Sequence, residues 1–136
     1  MPFVVDASVV VCWLMPDEGH TVAEAAYERL AHDSAVVPSV WWYELRNVFI
    51  VNERRGRLDA AKTARALRLL RGLPVTIDAA ADEQGLMQLA RQHRLTVYDA
   101  AYLELALRRG LPLATLDALL GAAARAEAVP LIEKSS

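Results

Sequence analysis

Three aspartates in this chain follow short apolar runs of the kind that form buried strands. They are Asp6 after Phe3-Val4-Val5, Asp78 after Val75-Thr76-Ile77, and Asp117 shortly after Leu113-Ala114-Thr115. A carboxylate between a strand and a helix has two chemical uses. It caps the helix, because its oxygens accept from orphan amides at the positive end of the helix dipole. Gathered with other carboxylates, it holds a hard divalent cation, since Mg²⁺ and Mn²⁺ take oxygen ligands in octahedral geometry and keep several waters. Packed acids repel one another unless a cation joins them, so an acidic pocket is itself a sign of a metal site. Glu44 and Asp99 also admit ordinary readings, as an exposed residue of an amphipathic helix and an acid in a first helical turn; Asp59 and Asp82 read as plain as these.

Other chemistries find little support. His20, His32 and His93 are scattered without the close pairing of a zinc site or a nucleophile–base pair, and read as surface residues. The single cysteine, Cys12, has no internal disulfide partner and lies among Val9, Val10, Val11, Trp13 and Leu14, where it packs. No phosphate-binding glycine loop occurs. Trp41, Trp42 and Tyr43 open an amphipathic helix, where such rings supply core or interface area more often than a stacking platform for a base. Arg54, Arg55 and Arg57 cluster at a helix end, and Arg65, Arg68 and Arg71 continue the series. This arginine set fits a solvated face and an RNA-backbone track equally well.

The elements that must position these side chains alternate. Phe3 to Val5 reads as a strand and Val9 to Leu14 as a helix start; Gly19 to Leu30 has helical spacing, and Ala35 to Val37 before Pro38 is the next strand. Ser39 is placed to cap a helix from Val40 to Arg55 that Gly56 closes, with Glu44 and Asn47 one turn apart on it. Asp59 caps a helix to about Arg71, Leu73 to Ile77 is a strand, and Asp78 opens a helix to about His93. Then follow a helix from Tyr98 to Arg109, a strand from Leu111 to Ala114, a helix from Asp117 to Ala126 and a last strand from Val129 to Ile132. Such alternation predicts an α/β fold whose mostly parallel sheet is covered by helices, with ligands outside the carboxyl ends of the strands.

Four stretches raise the acids above the ordinary reading. They are Val5-Asp6-Ala7-Ser8, Glu44-Leu45-Arg46-Asn47, Tyr98-Asp99-Ala100-Ala101-Tyr102-Leu103 and Leu113-Ala114-Thr115-Leu116-Asp117. In this order, over almost the whole chain, they resemble the PIN domain, particularly the toxin subunit of the VapBC toxin–antitoxin class. The resemblance implies a three-layer α/β/α fold with strand order 3-2-1-4-5, and a Mg²⁺-dependent endoribonuclease in which Mn²⁺ can substitute. It further implies that Asp6, Glu44, Asp99 and Asp117 bind metal and catalyse, supported by hydrogen bonds from Ser8, Asn47 and Thr115. Cleavage would leave a 5′-phosphate and a 3′-hydroxyl. The expected partners are RNA, a VapB-like antitoxin and a second copy of the chain, with Trp41 or Trp42 as a contact. In that strand order Asp78 lies at an edge and is expected to be a helix cap only.

Composition bounds these readings. The 136 residues suffice for one compact domain, with 54% hydrophobic and 24% charged residues and no low-complexity segment. No targeting or membrane-spanning segment is apparent, so a cytoplasmic location is expected. The formal net charge of −2 means that RNA would have to be met by local positive charge. Two other classes compete. A receiver-like signalling module expects adjacent acids at the first strand end and a lysine near the last, but Ala7 follows Asp6 and the only lysines are Lys62 and Lys134. A degenerate PIN domain acting only through protein partners would not need the intact set of four acids.

Overall fold

The computed structural model describes residues 1–15 and 19–133. In chain order the elements are β1 (Phe3–Val5), α1 (Ala7–Leu14), α2 (Thr21–Arg29), β2 (Ala35–Pro38), α3 (Val40–Arg54) and α4 (Ala60–Arg71). β3 (Val75–Asp78), α5 (Glu83–His93), α6 (Val97–Arg109), β4 (Leu113–Ala114) and α7 (Ala118–Ala126) complete the chain. The strands form one sheet in the order β3-β2-β1-β4, and every pair is parallel. Phe3 pairs with Ala35, Val4 with Leu113 and Pro38 with Asp78.

Burial follows position in the sheet. Phe3, Val4 and Val5 of β1 and Ala35, Val36 and Val37 of β2 are buried, as continuous apolar runs in a parallel sheet covered on both faces must be. β3 is an edge strand, and Thr76 and Ile77 stay exposed. Helix α6 packs on β1 and β2, α3 on β2, and α2 on β4. Helix α6 ends at Gly110, whose φ of +64° suits a residue without a Cβ, and Gly56 beyond α3 has φ +74°.

Several boundaries differ from the sequence reading. The last strand shrinks to a single parallel bridge between Leu113 and Leu131. It occupies the expected fifth position, but β4 has only two residues to pair with it and Ala128 at φ +60° turns the chain just before it. β3 begins at Val75 rather than Leu73, because Pro74 has no amide to donate. Ser39 sits in helical conformation and makes no cap bond. Asp78 does not open α5; it ends β3, and Asp82 caps α5 by accepting from the Gly85 amide at 3.1 Å. The Asp78 carboxylate instead accepts from the Ala80 amide and meets the guanidinium of Arg108 through two bonds of 3.1 and 3.2 Å. No helix among the described residues is long and apolar enough to cross a membrane.

Candidate active site

β1, β2 and β3 follow one another outward across the sheet, whereas β4 lies on the other side of β1. The direction of winding therefore reverses between β1 and β4, and a crevice opens there at the carboxyl ends of the strands. Asp6 lies at that point, with its amide donating to the Ala114 carbonyl at 3.1 Å. Its side chain is only 5% exposed. One carboxylate oxygen accepts from the Ser8 hydroxyl and from the Val9 amide, the other from the Thr115 hydroxyl. The two hydroxyls are themselves held, Ser8 Oγ by the Leu116 amide at 3.2 Å and Thr115 Oγ1 by the Asp117 amide at 3.0 Å. Burial raises the Asp6 pKa above its ordinary value, and the hydrogen bonds from Ser8, Thr115 and the backbone amides oppose that rise without cancelling it.

The other acids are linked to it in a chain of charges, Glu44 to Asp6 and Asp99, and Asp99 to Asp117. Glu44 projects from α3, and the buried Tyr102 of α6 donates its hydroxyl to Glu44 Oε1 at 2.6 Å. Glu44 holds its proton more tightly than a free glutamate, first through burial and then through the charges of Asp99 and Asp6, against the Tyr102 hydrogen bond. Asp99 lies in the first turn of α6, which Thr96 caps by accepting the Asp99 amide at 3.1 Å. Its pKa is raised by burial and by the charge of Asp117, with the Thr96 bond opposing. Asp117 caps α7 through the Leu120 amide at 2.8 Å and is the most exposed of the four. Asp6 likewise caps α1. The cap expected of a strand-end aspartate is thus real for Asp6 and Asp117, and the same two residues flank the crevice.

Among the described residues no three His, Cys, Asp or Glu side chains converge into a ready-made metal cage. The donor set still suits Mg²⁺, which is commonly held by one or two carboxylates and its own waters. The charges of Asp99 and Asp6 raise the proton affinity of Glu44, and that of Asp117 raises the proton affinity of Asp99, a repulsion that a cation would relieve. Ser8 and Thr115 both donate their hydroxyls to Asp6. Asn47 is exposed one turn beyond Glu44 and makes no hydrogen bond to the acids. Tyr102 was quoted in a motif but given no role by the sequence reading; a phenol this deep in an apolar helix must find a polar partner, and that requirement was the available signal.

The remaining singled-out residues lie elsewhere. His93 is part-buried rather than on the surface, its Nε2 2.8 Å from Glu127, and His20 caps α2 through Nδ1. Trp41 is 4% exposed and belongs to the core, which removes it as a partner contact, whereas Trp42 is 43% exposed. A cleft of about 570 Å³ between α5 and α6 is lined by Glu104, Arg108 and Glu127 among others and by none of the four acids.

The family model that matches this chain is the PIN domain, over residues 3–126. The chain belongs to the PIN domain family, whose members are generally nucleases that use divalent metal ions. Among solved structures it resembles PAE2754 from Pyrobaculum aerophilum, with 26% identity and a TM-score of 0.71 over 90% of this chain and 84% of that one. A toxin–antitoxin complex from Klebsiella pneumoniae shares the fold at 18% identity, with a TM-score of 0.54 over 82% of each chain. No curated protein is similar enough in sequence to count as a relative.

Proposed function

We propose that this PIN domain is a Mg²⁺- or Mn²⁺-dependent endoribonuclease and the toxin of a VapBC-like toxin–antitoxin pair. The observation that carries the proposal is the buried carboxylate of Asp6 at the reversal point of the sheet, held on both oxygens by hydroxyls, with Glu44 near enough to feel its charge and that of Asp99. Its ligand chemistry points to Asp6 and Asp99 as the direct metal ligands, with Glu44 and Asp117 acting on the ion or through its waters. A bound divalent ion supplies Lewis acidity toward the phosphate and a water made more acidic. The chain supplies the rest. The Ser8 and Thr115 hydroxyls keep Asp6 oriented and favour its charged form against burial. Tyr102 fixes one oxygen of Glu44 and leaves the other to take a proton from the attacking water, a role its raised proton affinity suits. Asp117 is the most exposed of the four acids.

The toxin assignment rests on the four motifs and gains support from a structural neighbour that is a toxin–antitoxin complex. A homodimer and a VapB-like antitoxin are the partners it entails. Purified protein should cut RNA in Mg²⁺ or Mn²⁺, leave 5′-phosphate ends and stop in excess EDTA. Asp6→Asn and Asp99→Asn should stay folded and lose the cleavage. Undiminished cutting in EDTA, or wild-type rates in both variants, would reject the assignment.

A further inference from the structure

The face of α3 that turns away from Glu44 carries a group of planar side chains with no place in the acidic site. Trp42 is 43% and Tyr43 70% exposed. Their ring centres are 5.0 Å apart at an interplanar angle of 70°, and the Arg46 guanidinium lies 4.0 Å from the centre of the Trp42 ring. A bond of 3.3 Å from Arg46 Nη1 to the Trp42 carbonyl holds that stack in place. Arg71 of α4 is near enough for its charge to act on Arg46. We propose that Trp42, Tyr43 and Arg46 form a stacking subsite for an unpaired base of single-stranded RNA, with Arg71 attracting the adjoining phosphate. The ligand class rests on the nuclease reading above; the site itself rests on the geometry of α3.

The distribution of charge favours RNA over a protein partner. Without a bound cation the acidic crevice repels a phosphodiester chain, so metal-free binding must draw its attraction from elsewhere on the surface. Residues 46–71 hold eight Lys and Arg against two acids, in a chain whose formal net charge is −2. Aromatic rings and guanidinium planes are the surfaces on which proteins stack unpaired bases. Position also fits. At 3.6 residues per turn, two positions separate Glu44 from Trp42 by about 200° around a helix roughly 10–12 Å across. A strand leaving the acids crosses the exposed face with Tyr43 and Asn47 before it reaches Trp42. The subsite would therefore hold a base a short way along from the bond that is cut.

The test is fluorescence anisotropy with a short labelled single-stranded oligoribonucleotide of mixed sequence, in EDTA so that binding is read without cleavage. Trp42→Ala and Tyr43→Ala should each weaken binding by about fivefold or more, while Trp42→Phe, which keeps a π-face, stays near wild type. Arg71→Ala should lower the salt dependence of binding, by a slope of about 0.7 for one single-strand phosphate contact. In cleavage, Trp42→Ala should raise KM and leave kcat unchanged. Wild-type affinity in both alanine variants overturns the subsite, as does a wild type that binds no RNA. Loss of self-association or antitoxin binding with RNA affinity intact also overturns it, in favour of a protein interface. Trp42-dependent binding by a protein that does not cut would sink the nuclease reading alone, and Asp6-dependent cutting that ignores Trp42 would sink the subsite alone.

Discussion

Removing the Asp78 side chain separates a strand-end aspartate that serves the fold from one that serves the site. Its carboxylate, 15% exposed, meets Arg108 through bonds of 3.1 and 3.2 Å, lies 3.5 Å from Arg109 and accepts the Ala80 amide at 2.9 Å. An exposed ion pair contributes about 0.2–1 kcal/mol, and the amide bond of a turn or cap adds about 1 kcal/mol. Asp78→Ala should therefore cost about 1–2 kcal/mol. In a chain of this size that lowers Tm by roughly 3–10 °C. Arg108→Ala should cost more, about 3 kcal/mol, because it also strips Glu104. The Glu104 side chain is 5% exposed, and without Arg108 at 2.7 Å it retains only the Asp82 amide. The pH dependence has a definite sign. Hydrogen bonds from Arg108, then from the Ala80 amide, hold the Asp78 pKa below its ordinary value. Its contribution is thus present above the unfolded value of about 3.9 and is lost as pH falls through the lower folded value. Thermal unfolding by circular dichroism at neutral pH and below pH ~4 should show the gap between wild type and Asp78→Ala closing on acidification. Metal-dependent cleavage per folded molecule should be unchanged. If folded Asp78→Ala has lost cleavage, the active crevice has been put at the wrong end of the strand order; if Arg108→Ala is no less stable than Asp78→Ala, the account of Glu104 is wrong.

Asp6 should behave in the opposite way. Because burial raises its folded pKa, its ionised form opposes folding, so the metal-free protein should gain stability as pH falls from neutral toward that pKa. Asp6→Asn should flatten this gain and be at least as stable as the wild type in EDTA, and Mn²⁺ should raise the Tm of the wild type but not of the variant; a Mn²⁺-induced rise of equal size in both would remove Asp6 from the ligand set. Tyr102→Phe removes a side-chain donor from Glu44 and should lower stability by about 1–2 kcal/mol. The same variant should weaken Mn²⁺ binding, measured by titration calorimetry, because Glu44 is no longer held in place; unchanged affinity would leave Tyr102 a purely structural residue.

The sheet was readable because its central strands are runs of buried β-branched residues, and Phe3-Val4-Val5 cannot be placed elsewhere in an α/β chain. Its order came from the resemblance, and the pairing of Val4 with Leu113 agrees with it. Asp6 with Ser8 and Thr115 was legible for the same reason, although nothing local says that two hydroxyls so distant in sequence share one carboxylate. Asp78 was misread because its pattern is that of a cap, while its partner Arg108 comes from an element 30 residues on. Capping is a contest among neighbours, and Asp82, four residues later, won it. Ser39 failed similarly, since its backbone already lies in helical conformation when a cap needs an extended one. Tyr102 escaped notice because its value lies in one hydroxyl, and apolar periodicity counts only its ring.

The bond from Thr115 to Asp6 spans 109 residues, and the one from Tyr102 to Glu44 spans 58. Contacts this distant form late, since the intervening chain must first be made and ordered. During synthesis Asp6 emerges early, yet it has neither the Thr115 hydroxyl nor strand β4 beside it until the chain has been made through Thr115. A nascent fragment carries the first acids as isolated, hydrated carboxylates. Order of appearance thus imposes a delay: the crevice closes only after the chain has been made and released through Thr115, so a shorter nascent fragment lacks the completed site.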